Sequence, residues 1–171
     1  MFRSPLLFAL SLAAFWPATV ALAAPQQKPL GTFGDWAAVA DGGDKRLCYI
    51  GSEPQKAEGK YKTRGKAHVL VTHRPADKVK GEVSVSTGYT YKEGTDAEAE
   101  IDGRKFKLFT KGENAWAYDA AEDKAMVAAM KAGKQLIVRG TSSRGTATTD
   151  TYSLSGFSAA LAAIDKACGY S

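Results

Sequence analysis

Residues 82–91 have the sequence Glu-Val-Ser-Val-Ser-Thr-Gly-Tyr-Thr-Tyr, in which larger side chains alternate with small or polar ones. Successive side chains of an extended chain point to opposite faces, so a period of two is typical of a half-buried β-strand. We therefore predict a strand over residues 82–91 and a fold built on a sheet. Its inward-facing residues are expected to be Val83, Val85, Thr87, Tyr89 and Tyr91.

Segments on both sides show the same signals, which are short β-branched or aromatic runs bounded by turn residues. Further strands are predicted over residues 32–40, 46–52, 68–73, 97–101, 105–110, 113–118, 135–140 and 146–154. The first two of these are expected to form a hairpin, and Asp102-Gly103 is a favourable hairpin turn because both residues tolerate positive φ. The polar residues 25–29 predict a loose lead, and residues 53–66 predict a loop.

Two helices are expected among these strands. Asp119 is a typical N-cap with Glu122 as its capping-box partner, and Gly133 marks the end of that helix. Residues 155–168 carry apolar side chains at helical spacing, and Cys168 lies in the last turn. The complete pattern predicts a mainly β, single-domain antiparallel β-sandwich or barrel with one internal helix and a C-terminal helix.

The N-terminus has the three parts of a secretory signal peptide. Arg3 is followed by an apolar run over residues 6–16 and by small residues at 21–24. Pro17 interrupts the apolar stretch, which makes a retained membrane anchor the weaker interpretation. We therefore predict a signal peptide at residues 1–23 and an exported mature domain at residues 24–171, without a later transmembrane span.

The chain contains two cysteines, Cys48 and Cys168. Disulfides persist in the oxidising compartments that exported proteins enter, and two cysteines allow one pairing. A zinc site would need further cysteines or histidines at short spacing, which the sequence lacks. We therefore predict a Cys48–Cys168 disulfide that ties the terminal helix to an early strand.

The sequence shows no convincing catalytic or metal-binding cluster. His68 and His73 lie five residues apart in one predicted strand, so their side chains should point to opposite faces. Asp96, Glu98 and Glu100 alternate along another strand and could hold Ca²⁺ or act as an acid–base pair, but a solvated outer face explains them better. No nucleotide-binding glycine loop is present, and no cofactor is predicted.

The segment 140–145, Gly-Thr-Ser-Ser-Arg-Gly, superficially resembles a nucleophile elbow. That motif needs glycines two residues before and two residues after the serine, and neither Ser142 nor Ser143 has both. A hairpin connection with Gly145 at positive φ is the better interpretation, because glycine and serine are common in turns.

A cluster of basic residues in the predicted 53–66 loop is the best candidate binding site. It could bind an anionic glycan, a lipopolysaccharide phosphate or a host surface, although a simply solvated loop remains the alternative. The net charge of +5 is too modest to indicate a nucleic-acid partner. The candidate residues are Lys56, Lys60, Tyr61, Lys62, Arg64 and Lys66.

Three short motifs resemble those of the invasion-associated locus B proteins of Gram-negative bacteria. They are residues 31–36 (Gly-Thr-Phe-Gly-Asp-Trp), residues 47–50 (Leu-Cys-Tyr-Ile) and residues 152–160, which lead to Cys168. The resemblance implies an exported, disulfide-bearing, β-rich domain in the periplasm or at the cell surface of a Gram-negative bacterium. Such proteins are linked in some pathogens to host-cell entry, and the resemblance supplies no catalytic residues. Many relatives also have a cysteine a few residues after the tryptophan, where this chain has residues 39–41 (Val-Ala-Asp).

These observations favour a non-enzymatic envelope protein that acts by binding. The alternative is a small periplasmic hydrolase or glycan-acting enzyme that uses the acidic row and a histidine. That alternative requires His68 or His73 within hydrogen-bond distance of a carboxylate inside a cleft.

Overall fold

The computed structural model describes residues 27–42 and 46–170, so the predicted signal peptide lies outside the described residues. Eleven strands and two α-helices occur in this part of the chain. They are β1 (Gln27–Phe33), β2 (Trp36–Asp41), β3 (Leu47–Ser52), β4 (Lys56–Gly59), β5 (His68–Arg74), β6 (Val79–Ser86), β7 (Ala97–Ile101), β8 (Arg104–Lys111), β9 (Asn114–Trp116), α1 (Ala120–Ala132), β10 (Gln135–Thr141), β11 (Ala147–Ser153) and α2 (Phe157–Cys168).

All paired strands are antiparallel, in the order β1-β2-β3-β5-β6-β9-β8-β7-β10-β11-β4. The short strand β9 pairs with both β6 and β8. It thereby joins one half of the sheet, β1-β2-β3-β5-β6, to the other half, β8-β7-β10-β11-β4. Apolar side chains from both halves, such as Val83 and Val138, belong to one buried cluster. The mainly β antiparallel fold with one internal and one C-terminal helix is therefore confirmed. Neither described helix is long and apolar enough to cross a bilayer.

The strand predicted over residues 82–91 is shorter than its alternation suggests. β6 ends at Ser86, and Gly88 adopts φ +68°. A Cβ atom at Gly88 would lie 2.3 Å from the carbonyl oxygen of Gly65, while the Gly65 N–H donates to the Gly88 carbonyl at 2.8 Å. This close approach of two backbones turns the chain out of the sheet, so Tyr91 forms only an isolated bridge with Ser142.

Three predictions near the N-terminal half were wrong. The strand predicted over residues 32–40 divides at Gly34, where φ is +54° and a Cβ atom would lie 2.6 Å from the carbonyl oxygen of Ser155. The lead predicted over residues 25–29 is strand from Gln27 onward, and the loop predicted over residues 53–66 contains β4. β1 and β4 are edge strands, where pairing along one side supplies order without an alternating apolar pattern. The hairpin of β2 and β3 is confirmed.

Helix α1 begins and ends where the sequence indicated. The Asp119 carboxylate accepts hydrogen bonds from the backbone N–H groups of Ala121 and Glu122, both at 2.8 Å. The Glu122 carboxylate accepts from the N–H of Tyr118 at 3.1 Å, one residue before the cap that a standard capping box would use. Gly133 follows the last turn, and Met126 is buried against the sheet.

Helix α2 is fixed to the sheet by a disulfide and by aromatic packing. Cys48 in β3 is bonded to Cys168, the last residue of α2, with their Cα atoms 6.1 Å apart. At the other end of the helix, the rings of Phe157 and Trp36 meet edge to face at 4.9 Å. The predicted disulfide and its role in holding the terminal helix are thereby confirmed.

Candidate functional site

A cleft of about 500 Å³ brings together two segments that the sequence had left separate. One wall is part of the basic loop, and the opposite wall is the connection between β10 and β11 that contains Ser142 and Ser143. The turn after β6 completes it. The lining residues are 60–65, 88–90, 142–144, 146 and 148. Hydroxyl groups and cations dominate this surface, and no acidic side chain lines this cleft in the described part of the chain.

The floor of the cleft is built on a buried ion pair. Arg64 donates two parallel hydrogen bonds of 2.7 Å to the two carboxylate oxygens of Asp150, and its Nε donates to the Thr87 carbonyl at 2.9 Å. The two side chains are 7% and 0% exposed. The hydrogen-bonded carboxylate holds the pKa of the Arg64 guanidinium above its ordinary value. Arg64 was predicted as a binding cation, but its charge is neutralised by Asp150. Its hydrogen bonds instead attach the basic loop to the rest of the domain.

Two tyrosines enclose this guanidinium. The Arg64 Cζ atom lies 5.2 Å from the ring centre of Tyr61 and 5.3 Å from that of Tyr89, both within cation–π range. Tyr89 also shares a 2.6 Å hydrogen bond with the hydroxyl of Thr148 in β11. Burial raises the pKa of Tyr89, so its phenol stays neutral. Tyr61 therefore lies in the cleft wall with its ring position set by Arg64.

The remaining predicted cations divide into two groups. Lys60 and Lys62 line the cleft, are exposed, and make no ion pair within residues 27–42 and 46–170. Lys56 pairs with Glu58 at 2.9 Å on β4, and Lys66 lies 3.8 Å from Glu53. Neither Lys56 nor Lys66 lines the cleft, so the structure does not bring the six predicted residues together as one surface.

Sequence reasoning missed Arg144 as a member of the site. It lies in the Ser142–Ser143 connection and lines the cleft opposite Lys60 and Lys62. Arg144 is the basic residue of the Gly-Thr-Ser-Ser-Arg-Gly segment, but that segment was used only to predict a turn. That hairpin connection is present, with Gly145 at φ +81°. The Ser142 hydroxyl accepts from the Thr146 N–H at 3.1 Å, which orders the turn.

His73 meets both conditions of the enzyme alternative, since it lies within hydrogen-bond distance of Asp165 and both residues line a cleft, but its ring has no free nitrogen. Its Nε2 lies 3.0 Å from the Asp165 carboxylate, and its Nδ1 accepts from the Gly81 N–H at 2.9 Å. The ring therefore donates from Nε2 and accepts at Nδ1, which leaves no nitrogen for a substrate. Burial lowers the pKa of His73, so the ring is neutral. These contacts hold α2 on the sheet and explain a 1% exposed histidine.

The other candidate groups lie apart from this histidine. His68 faces a shallow surface near Tyr49. In the acidic row, Arg139 pairs with Glu98 at 3.3 Å and with Glu100 at 2.7 Å. The described residues contain no cluster of three or more histidine, cysteine or acidic side chains that could hold a metal ion.

Two comparisons with known proteins bear on the family and the fold of this chain. The family model described as "Invasion associated locus B (IalB) protein" matches residues 36–165, which extend from β2 into the last turns of α2. The chain belongs to the invasion associated locus B family. A solved structure of this family, the crystal structure of invasion associated protein B from Bartonella henselae, is similar with a TM-score of 0.55. The two sequences are 21% identical, and the match covers 80% of this chain and 96% of the Bartonella henselae chain. The two proteins therefore share a fold.

A comparison with curated proteins found no match. Neither match to the invasion associated locus B family describes an enzymatic activity. The three motifs that resemble the family form the start of α2 and the segments near it, and none of their residues lines the cleft. The indole N–H of Trp36 donates to the Ser153 carbonyl at 3.0 Å, and the backbone N–H of Asp35 donates to the Ser155 carbonyl at 3.1 Å. These motifs therefore stabilise the shared scaffold.

Proposed function

We propose that this invasion associated locus B protein is exported, loses residues 1–23, and binds an anionic ligand of the cell envelope or of a host surface. The mature domain is residues 24–171. Family membership and the buried Cys48–Cys168 disulfide support a location outside the cytoplasm. The observation that carries the binding proposal is the hydroxyl-rich cleft, which has three exposed cations besides the neutralised Arg64 and no acidic residue among the described residues that line it.

The available charge of the cleft comes from Lys60, Lys62 and Arg144. Because the charge of Arg64 is neutralised by Asp150, an incoming anion meets the three exposed cations and not the guanidinium in the floor. Exposed cations attract anions over about one Debye length, which is roughly 8 Å at physiological ionic strength. Binding is therefore expected to be fast and salt-sensitive.

The neutral groups of the cleft favour a sugar ligand that carries acidic substituents. Hydroxyl groups of threonine and serine residues line the same surface as the lysines. Such groups both donate and accept hydrogen bonds, which suits the hydroxyls of a saccharide. The ring of Tyr61 adds an aromatic surface beside them. An acidic oligosaccharide satisfies both the cations and the neutral groups.

The test uses the mature protein, a heparin oligosaccharide as the acidic glycan, and neutral dextran. The double variant Lys60→Gln/Lys62→Gln should bind heparin roughly five- to tenfold more weakly at low salt, since two exposed charge contacts are together worth about 1–1.4 kcal/mol. The matched control Lys107→Gln/Lys111→Gln changes two exposed lysines of β8 and should leave binding unchanged. Equal weakening by both variants, or measurable dextran binding, would contradict a specific acidic-glycan site.

Export is tested separately. Cell fractionation followed by N-terminal sequencing of the mature protein should place the new N-terminus at or next to residue 24 and outside the cytoplasm. An intact N-terminus in the cytoplasmic fraction would refute this part of the proposal.

A further inference from the structure

A second cleft, of about 420 Å³, lies between the two helices on the side of β5 and β6. Its volume falls within the range of about 300–1,000 Å³ that is common for small-molecule sites. One wall is a single face of α1, formed by Ala120, Lys124, Val127 and Lys131, which are spaced three or four residues apart. Leu161 of α2 forms the facing wall. None of these residues lines the first cleft, which contains Lys60, Lys62 and Arg144.

Val127 and the 5% exposed Leu161 form the apolar floor of this cleft, and three cations surround it. Lys80, Lys124 and Lys131 line the cleft, and none of them makes an ion pair within the part of the chain that the structure describes. Lys80 lies over the ring of Tyr170 at 4.9 Å, which fixes its position without neutralising it. The single carboxylate in the lining, Asp165, accepts the hydrogen bond of the neutral His73. The cleft therefore carries a net positive charge.

We propose that this cleft binds a single-chain anionic amphiphile, a fatty acid with a free carboxylate. The acyl chain would lie on Val127 and Leu161 and along the aliphatic stems of the lysines, which commonly cover apolar surface. The carboxylate would be held by the ammonium groups at the rim. A small inorganic anion leaves the apolar floor uncovered, and a neutral amphiphile leaves the three ammonium groups without a partner.

The chemistry predicts two separable dependences of the affinity. Each methylene that is buried on the floor should increase affinity about two- to fourfold until the chain outgrows the cleft. Removing the negative charge of the head group should decrease affinity, and this decrease should shrink at high salt because the rim is exposed. A ligand that shows both dependences recognises the floor and the rim together.

The test is calorimetric titration of the mature protein with sodium octanoate, decanoate and dodecanoate below their micelle concentrations, and with 1-decanol as the neutral comparison. Decanoate should bind at least tenfold more tightly than decanol, and affinity should rise along the carboxylate series. Equal binding of decanoate and decanol, or affinity independent of chain length, would overturn the proposal.

Three double variants locate the site. Lys124→Gln/Lys131→Gln should weaken decanoate binding at least fivefold and leave heparin binding intact. Lys60→Gln/Lys62→Gln and Lys107→Gln/Lys111→Gln should leave decanoate binding unchanged, since these lysines lie outside the cleft. Unchanged decanoate binding in the Lys124/Lys131 variant, or equal weakening in all three variants, would refute this site. Heparin and decanoate report on different clefts, so either proposal can fail alone.

Discussion

Replacing Asp123 by asparagine should stabilise the protein at neutral pH. Asp123 lies near the start of α1, and its carboxylate accepts a 2.9 Å hydrogen bond from the Val83 N–H of β6. Burial raises the pKa of this carboxyl from 3.8 to about 6, and the nearby charges of Glu82, Asp119 and Glu122 act in the same direction. The asparagine side chain retains an oxygen acceptor for the Val83 N–H and removes the buried charge.

The direction of the pH effect follows from the raised pKa. The folded protein holds the proton of Asp123 more tightly than the unfolded chain does, so this carboxyl supports the fold most fully below pH 3.8. That support is lost as the pH rises to about 6, the pKa in the folded state. A shift of about two units corresponds to ~3 kcal/mol at most. Solvent screening of a half-buried group reduces this, so we expect a gain of about 1–2 kcal/mol for asparagine at pH 7.5.

The assay is urea unfolding of the oxidised mature protein at several pH values from about 4 to 7.5. The matched control is Asp102→Asn, because the exposed Asp102 carboxylate also accepts a 2.9 Å bond from a backbone N–H, that of Lys134. The free energy of unfolding of the Asp123 variant should exceed that of the parent at pH 7.5 and approach it near pH 4, while the control shows no gain. A loss of stability at pH 7.5, or a difference that does not change with pH, would refute the burial argument.

Two further perturbations test the covalent and ionic ties. The variant Cys48→Ala/Cys168→Ala removes a cross-link between residues 120 apart, so its free energy of unfolding should fall by roughly 5 kcal/mol by the loop-entropy relation, measured as a lower urea midpoint. Asp150→Asn leaves the buried guanidinium of Arg64 without its charged partner, so a loss of about 3–5 kcal/mol is expected from thermal unfolding. A change below 1 kcal/mol in either experiment would contradict the corresponding argument.

The features that were predicted correctly depend on local sequence. A helix N-cap needs only one side chain and the next turn, so Asp119 was identifiable without tertiary information. The Asp102-Gly103 turn between β7 and β8 is likewise local, and Asp102 indeed has φ +45°. The disulfide required only a count of two cysteines and the inference of export.

The features that were predicted wrongly depend on contacts distant in sequence. β6 ends at Ser86 because the turn at Gly88 packs against the backbone of Gly65. Residues 82–91 alone give no indication of this contact with Gly65. β4 consists of exposed residues and is ordered by pairing with β11, about ninety positions later in the sequence. Edge strands of this kind carry little alternation, so periodicity cannot detect them.

The cleft that we propose as a glycan site was half predictable for the same reason. The density of lysines around Tyr61 indicated a cationic loop, and that loop does form one wall of the cleft. Its partner wall comes from the connection between β10 and β11, and the neutralisation of Arg64 depends on Asp150, 86 residues away. A basic residue in a polar segment normally suggests a solvated side chain. The sequence alone therefore ranked Arg64 with the free cations rather than with the structural ones.

The Arg64–Asp150 pair connects the shared scaffold to the proposed glycan site. Arg64 makes three hydrogen bonds from the basic loop to the sheet region, and the Gly65 N–H adds one to Gly88. Lys60 and Lys62 lie in the short segment between β4 and this attachment. Replacing both partners, as in Arg64→Gln/Asp150→Asn, should therefore lower heparin affinity while leaving the net charge of the site unchanged, because the loop must then be ordered during binding. The attachment of the basic loop to the sheet thus organises the cleft, and in the proposed function the exposed cations of its walls select the anion.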